Sequence, residues 1–453
     1  MAMNELIVLS AGIFVLLIYS ALMSQYDFFS PSLIVCILFF VSSLLAIRDV
    51  IAWDVSDDIF SSYGTIVLLS GIAVFVMTEQ IVTLFLRRKG YGKKSQAPEE
   101  ITPLKVSKVK LLLLLIIVVI SAFIYCFMTY RIAVRNGYKG NFSLSAVAAF
   151  RHDISFDSRR IYETPRWVRI IKNVIDINIY IGLYLFIRNV VYAKDKIRHN
   201  IIYLALIAPS IPANMINSAR GTFLQAAGSG VFFIYIMLRR REGWKSSKKV
   251  FMKIAKKSCV ILVVALILFY LIQANGFFGR TTDRSFLDHV TMYVGAPIIH
   301  FYQFIQSPPA DVLYFGQETF VSLNRLLLKL GLVPEAGSAQ LELRGISGHY
   351  GNIYTFFRRP LHDFGLIGMY FITALTSFAF SYFYYKKIYK RSEFYCKDTT
   401  VILYGYFFYI VYLFPMLCEL CNLVYFGIIY LVLIILILYG WITDGKIFRI
   451  KLP

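Results

Sequence analysis

Charge is what this sequence has least of. Only 16% of its 453 residues are charged, and Asp and Glu number 26 against 47 Lys and Arg. A soluble domain spreads charge over its surface, whereas here the charges fall in short clusters between long apolar runs. Cysteine is also sparse. The six present are scattered, four of them in apolar runs or at their ends, and no spacing offers a zinc site. Cys418 and Cys421 form a CxxC, but on a helix end they read as packing residues rather than a redox pair. The start Met1-Ala2-Met3-Asn4-Glu5 lacks a basic segment ahead of the first apolar run, so that run is expected to be a true span and not a cleaved leader. Repeats of solenoid period and low-complexity tracts are absent.

What the chain has instead is hydrophobic length. With 58% hydrophobic residues it repeatedly supplies windows, as around Leu111 to Ile124 and Val424 to Tyr439, that suit a helix crossing roughly 30 Å of hydrocarbon. The fold expected is an all-α polytopic membrane protein with about eleven spans. These lie near Leu6–Met23, Pro31–Ile47, Gly64–Leu86, Leu111–Tyr130, Val174–Tyr192, Ile201–Asn217, Thr222–Leu238, Cys259–Gln273, Leu366–Tyr384, Val401–Leu417 and Val424–Trp441. Three regions follow: an N-terminal bundle of about eight spans over 1–274, a large outer loop over 275–362, and about three C-terminal spans over 363–453.

A net charge of +21 would suggest nucleic acid in a soluble protein, but here it follows from loop topology and no nucleic-acid partner is expected. Basic segments at Arg87–Lys110, Lys194–Arg198, Arg239–Lys257, Lys386–Lys397 and Lys446–Lys451 all land on one side of an eleven-span arrangement. The acids Asp49, Asp54, Asp57 and Asp58 land on the other. The positive-inside preference then puts the N-terminus outside and the C-terminus in the cytoplasm, with Trp53, Trp167, Trp244 and Trp441 near span ends.

Two outer segments are long, Arg131–Arg166 and Asn275–His362, and loops of that length carry function more often than short ones. Within the second, Ser285–Gln306 is apolar enough to tempt a further span, but Asp288, His289, Pro297 and His300 argue against one. Thr319–Leu330 sets Phe320, Leu323, Leu326, Leu327 and Leu330 at helical spacing beside Asn324, Arg325 and Lys329, the pattern of an amphipathic helix on the outer surface.

An outward-facing site has no nucleotide triphosphate supply, so its energy comes from an activated substrate or a gradient. Ion-coupling residues inside spans are few. Lys172 and Asp176, four residues apart, read as a local helix pair. Outer arginines are more numerous: Arg220 at a turn between two spans, Arg280 and Arg284, Arg344, and the pair Arg358-Arg359. Guanidinium groups pair bidentately with phosphate oxygens, so this set suits a diphosphate, although any one of them could equally snorkel to lipid phosphate. The richest stretch is Gly348 to Gly365, with His349, His362, Asp363, both arginines and several aromatics just before a span. Aromatic rings such as Tyr350 and Tyr354 can stack on sugars, and histidine titrates near neutrality. Asp363 could orient His362, act alone as a base, or cap the following helix.

These residues resemble the Wzy-type O-antigen polymerases, also called oligosaccharide repeat unit polymerases. The resemblance covers nearly the whole chain: many spans, two long outer loops, Ala219-Arg220-Gly221 at an outer turn, a late Gly-Asn-x-Tyr-Thr-x-Phe-Arg stretch at 351–358, and Asp-Phe-Gly-Leu-Ile-Gly at Asp363 to Gly368. It implies a metal-independent glycosyltransferase on a GT-C-like scaffold in the bacterial cytoplasmic membrane, needing no cofactor. The enzyme would join undecaprenyl-diphosphate-linked oligosaccharide repeats into O-antigen or capsule. Membrane lipid and a chain-length regulator protein are the further partners it suggests. Carried onto this chain, Arg220 and Arg280, then Arg284, Arg358 and Arg359, would hold the diphosphate. His349 would be the base, with His362 and Asp363 competing, and Tyr350 and Tyr354 would stack on sugar. Spacing alone does not single out His349 from other outer residues such as His300, Glu318 and Glu342. An O-antigen ligase would share the arginines and a loop histidine; a lipid-linked oligosaccharide flippase would be expected to have shorter loops and charged cavity walls; a receptor or scaffold would leave these residues dispensable.

Overall fold

The computed structural model describes residues 2–91, 101–136, 164–216, 221–244, 285–393, 395–424 and 427–443, with the single positions 252, 263, 267 and 270. Its helices in chain order are α1 (Ala2–Met23), α2 (Pro31–Ala52), α3 (Ser62–Arg88), α4 (Lys108–Arg135), α5 (Arg166–Ile187), α6 (Ile197–Leu204), α7 (Ser210–Met215) and α8 (Gly221–Arg241). After these come α9 (Phe286–Val294), α10 (Ala296–Gln306), α11 (Val321–Lys329), α12 (Arg358–Phe383), α13 (Asp398–Phe407) and α14 (Gly427–Ile442). The strands among the described residues are β1 (Arg344–Ile346) and β2 (His349–Gly351), an antiparallel hairpin.

Among the described residues, seven helices are long and apolar enough to cross a membrane: α1 to α4, α5 with its π-helical extension to Tyr192, α8, and α12 with a like extension to Ile388. The chain is thus an all-α multi-pass membrane protein. Ile81, Phe123 and Ile367 are 68, 71 and 84% exposed, surfaces suited to hydrocarbon and not to water.

The remaining expected spans differ. Ile201–Asn217 is broken into α6 and α7, because Pro209 and Pro212 have no N–H to continue an i to i−4 ladder; three-residue turns such as Ile207 N to Leu204 O, at 3.0 Å, carry the chain between them. Val401–Leu417 reaches only α13, followed by a single helical turn at Tyr409–Tyr412, and Val424–Trp441 forms the 16-residue α14. Most of Cys259–Gln273 and most of the outer segment 131–166 lie outside the described residues. Ser285–Gln306 forms two helices meeting at Gly295, where an added Cβ would lie 2.6 Å from Asp49 Oδ2, and they pack along α2 inside the protein.

Packing divides the spans into two groups. In one, α3 lies parallel to α12, with Ser70 Oγ 2.7 Å from Tyr370 Oη and Ser377 Oγ donating to Phe75 O at 2.7 Å, while α1 and α2 close the other side. The second gathers α4, α8, α13 and α14 around α5. The α1–α2 turn joins them: Phe29 packs on Phe232 and Phe408, and buried Asp27 accepts from Tyr235 of α8 and from Tyr384 Oη at 2.9 Å. Glu79 of α3 serves the same turn, taking Ser30 Oγ and, at 2.7 Å, Ser32 N, so that it caps the start of α2 from another helix.

The two ends of the bundle differ in chemistry. At the basic end Arg87 donates to Met23 O, Arg188 meets Glu393 and Asp398, Arg240 donates to Cys396 O, and Lys110 donates to Trp441 O. At the opposite, head end, Glu5 accepts from Ser62 and Thr65 at the start of α3, and the segment 307–357 folds over the first residues of α12. Helix α11 lies in this segment but does not bury the face its spacing suggested: Val321 and Asn324 are turned into the protein, and Leu330, just past the helix end, is 62% exposed.

Candidate functional site

The head of α12 is set by two phenylalanines. Phe356 stacks on Phe414 with ring centroids 3.8 Å apart, while its N–H donates to Phe414 O at 2.8 Å. Phe357 stacks on Phe39 and fits against Gly71, where a Cβ would stand 2.7 Å from the ring. With both rings anchored in the core, the next residue is turned inward, and Arg358 is fully buried.

Helical spacing then sorts the charged residues. Arg358 and His362 share one face by the i, i+4 rule, and Arg359 and Asp363 share the next. On the first face, Arg358 Nη1 donates to Glu318 Oε2 and Nη2 to Glu342 Oε2 at 2.7 Å, with the guanidinium over Phe304 and Tyr354 at 4.6 and 5.5 Å. His362 Nδ1 lies 3.3 Å from the same Glu318 oxygen, and its ring sits edge-on to Phe304. Both ring nitrogens of His362 are buried without a hydrogen-bond partner, Nδ1 meeting Glu318 as an ion-pair contact only. Burial works to raise the Glu318 carboxyl, but the contact with His362 and the charges of Arg358 and Arg359 outweigh it and hold the group below its ordinary range.

The second face fastens the loop. Arg359 donates to the carbonyls of Glu318, Ser338 and Ala339, the last at 2.6 Å. Asp363 accepts from the N–H groups of Glu318 and Thr319, at 3.1 and 2.5 Å. Two residues after it, Gly365 adopts φ 64° and ψ −170°, which separates the short turn Arg358–Phe364 from the apolar helix beginning at Leu366.

Several expected roles change on this geometry. Arg358 and Arg359 point at protein carboxylates and carbonyls and not at an open diphosphate site, because the segment 307–357 folds over them. Asp363 neither orients His362 nor stands free; it staples the loop. Tyr354 is buried, its hydroxyl donating to Glu342 O at 3.1 Å, so Tyr350, 61% exposed, is the tyrosine that offers a face.

His349 stands apart from His362. It lies on β2 after a two-residue turn whose Ser347 and Gly348 both have positive φ, 45° and 83°, and its ring stacks on Trp53 at 4.4 Å. Trp53 leads in turn to Asp288 and Arg48, which form an ion pair at 2.6 Å. Arg220, Arg280 and Arg284 lie outside the described residues.

Glu318 and Glu342 are the members that spacing missed, being 40 and 16 residues from Arg358. The available signal is charge accounting: two arginines at the head of an apolar span require counter-charges, and these glutamates are among the few acids the loop contains. Glu318, His362 and Asp363 also bring one ligand atom each within 4.8 Å, a grouping that could hold a cation. Here, however, Arg358 supplies the counter-charge on Glu318 and backbone N–H groups take Asp363. Lys172 and Asp176 form the expected helix pair at 2.5 Å, extended by Lys172 to Asn214 at 3.0 Å. Cys418 and Cys421 are buried free thiols.

No family model, no curated protein and no solved structure matches this chain.

Proposed function

We propose that this protein is a glycosyltransferase that joins undecaprenyl-diphosphate-linked oligosaccharide repeats into a surface polysaccharide, acting at the head end of the bundle. The observation that carries the reading is the Glu318–His362 pair at the start of α12, on the end of the bundle away from the basic segments. By the positive-inside preference the basic end faces the cytoplasm of a bacterial cell, which puts the head end on the outer face of the inner membrane with the N-terminus outside.

The chemistry asks for a base and for stabilisation of a departing diphosphate. Glu318 holds His362 Nδ1 and leaves Nε2 to take the proton of the acceptor hydroxyl. As the new bond forms at the anomeric carbon, the diphosphate leaves with the bonding electron pair, and its charge is met by outer arginines, for which the sequence offers Arg220, Arg280 and Arg284. Nε2 is buried in this conformation, so the acceptor reaches it when the segment 307–357 moves off the head of α12. Tyr350 on β2 offers an exposed ring to a sugar.

The test is a gel ladder of surface polysaccharide from a strain lacking the protein, complemented with wild type, His362→Gln or Arg220→Ala. Single-repeat product in the deletion, a ladder with wild type and none with either variant at normal membrane levels would support the proposal. Full-length polymer left unattached to its final acceptor in the deletion replaces it with a ligase; loss of single-repeat surface product as well moves export or ligation ahead of polymerisation.

A further inference from the structure

The basic end of the bundle contains a cleft of about 740 Å³ between the segment leading into α4, the first turns of α4 itself, and α6. Its floor is fixed in place. Asn189 accepts from Leu104 N at 2.8 Å and donates to Leu104 O at 3.1 Å, and Tyr203 Oη donates to the same carbonyl at 3.3 Å. This pins the extended stretch before α4 to α5 and α6, and the cleft is bounded by hydrogen-bonded backbone on that side.

The lining has two chemistries. Leu112, Leu115 and Ile202 form an apolar wall, and Leu112 and Ile202 are 58 and 49% exposed, so the wall continues onto the lipid-facing surface of α4 and α6. At the mouth stand the exposed side chains of Lys105, Lys108 and His199. The acid of the lining, Asp195, is engaged by His199 at 3.2 Å, by Asn200 at 2.9 Å and by Lys196 N at 2.7 Å.

A slot of this size far exceeds a phosphate ion and falls in the range of ligand sites. Its charge is positive where a headgroup would sit, and its wall is apolar and open sideways where an acyl chain would run. Basic pockets between spans on the cytoplasmic side are matched to anionic headgroups, with about 1 kcal/mol per lysine near the surface. We propose that this cleft binds one anionic glycerophospholipid, its phosphate between Lys105 and Lys108 and an acyl chain along Leu112, Leu115 and Ile202. Such a lipid occupies the opposite end of the bundle from His362, and its binding is independent of the proposed glycosyl transfer.

Native mass spectrometry of the full-length protein in detergent tests this, with phosphatidylglycerol and phosphatidylcholine of matched chains titrated separately. One phosphatidylglycerol retained per chain in preference to phosphatidylcholine is expected. The exposed double substitution Lys105→Gln and Lys108→Gln should weaken phosphatidylglycerol binding by roughly 10- to 30-fold, two lysines at about fivefold each, and leave phosphatidylcholine unchanged. Leu115→Trp, which narrows the slot and alters no charge, should weaken phosphatidylglycerol as well. Equal retention of the two lipids, or undiminished phosphatidylglycerol affinity in the lysine double variant, overturns the proposal.

Discussion

His362 Nδ1 stands 3.3 Å from Glu318 Oε2, the same oxygen that accepts from Arg358. One carboxylate oxygen therefore faces both a histidine ring and a buried guanidinium. Under the proposed function these contacts separate experimentally. His362→Gln removes the base and should lower the rate of polymer formation by about 10²- to 10⁴-fold, the usual weight of a positioned general base. Glu318→Gln keeps an acceptor near His362 and should cost less. Transfer from purified lipid-linked repeats in vesicles measures both, and a His362→Gln variant with an unaltered rate would remove His362 from the chemistry.

Arg358 is fully buried with two carboxylates on it, so its loss leaves Glu318 and Glu342 without their common counter-charge. Removing one partner of a buried network costs about 3–5 kcal/mol, more than the network contributes over an apolar replacement. Arg358→Met should lower the thermal midpoint in detergent sharply. Adding Glu318→Gln and Glu342→Gln to it should restore much of the loss, a non-additivity that a double-mutant cycle reads directly. Arg358→Lys should not rescue, because one ammonium cannot span both carboxylates as the planar fork does.

This network also marks how far the sequence could be read. Hydrophobic length found the seven long helices, and the start of the apolar part of α12 at Leu366 matches the structure because Gly365 breaks the helix there. The i, i+4 spacing of Arg358 with His362 and of Arg359 with Asp363 was visible too. What those pairs face was not: Glu318 reaches Arg358 across 40 residues of loop, and no local period encodes such a closure. The expected span at Ile201–Asn217 is a broken helix over its described residues for a local reason, since hydropathy counts Pro209 and Pro212 as tolerable while the hydrogen-bond ladder does not. Glu79 and Asp27 escaped notice because their partners are hydroxyl and backbone N–H groups on other helices, which a search for charge pairs passes over.

Gly365 offers a purely conformational test. Its φ of 64° with ψ −170° belongs to a region essentially closed to other residues, yet nothing lies within 4 Å of where a Cβ would stand. Gly365→Ala meets no clash, so any destabilisation is backbone strain, about 1–3 kcal/mol. The lowered melting midpoint should be accompanied by faster hydrogen exchange at Glu318 and Thr319, whose N–H groups depend on Asp363 two residues before the break. A variant as stable as wild type would show that the turn relaxes into a continuous helix without cost.

The folded head end should be sensitive to acid. His300 is buried, donates from Nδ1 to Ile353 O at 2.9 Å, packs on Tyr354, and is faced by Arg344 and Glu342. Burial pushes its pKa from 6.5 down to about 4. An unfolded chain therefore binds a proton at His300 that the folded chain refuses, and the stability this contributes is complete above pH 6.5 and is lost as pH falls towards 4. Full loss amounts to roughly 3 kcal/mol, with a slope no steeper than about 1.4 kcal/mol per pH unit. Glu318, held below its ordinary range, adds a further loss with the same sign but only below about pH 4.5. His300→Asn keeps a donor for Ile353 and cannot titrate, so its melting midpoint in detergent should fall less than that of wild type between pH 6.5 and 4. Parallel curves for the two proteins would place the acid sensitivity elsewhere.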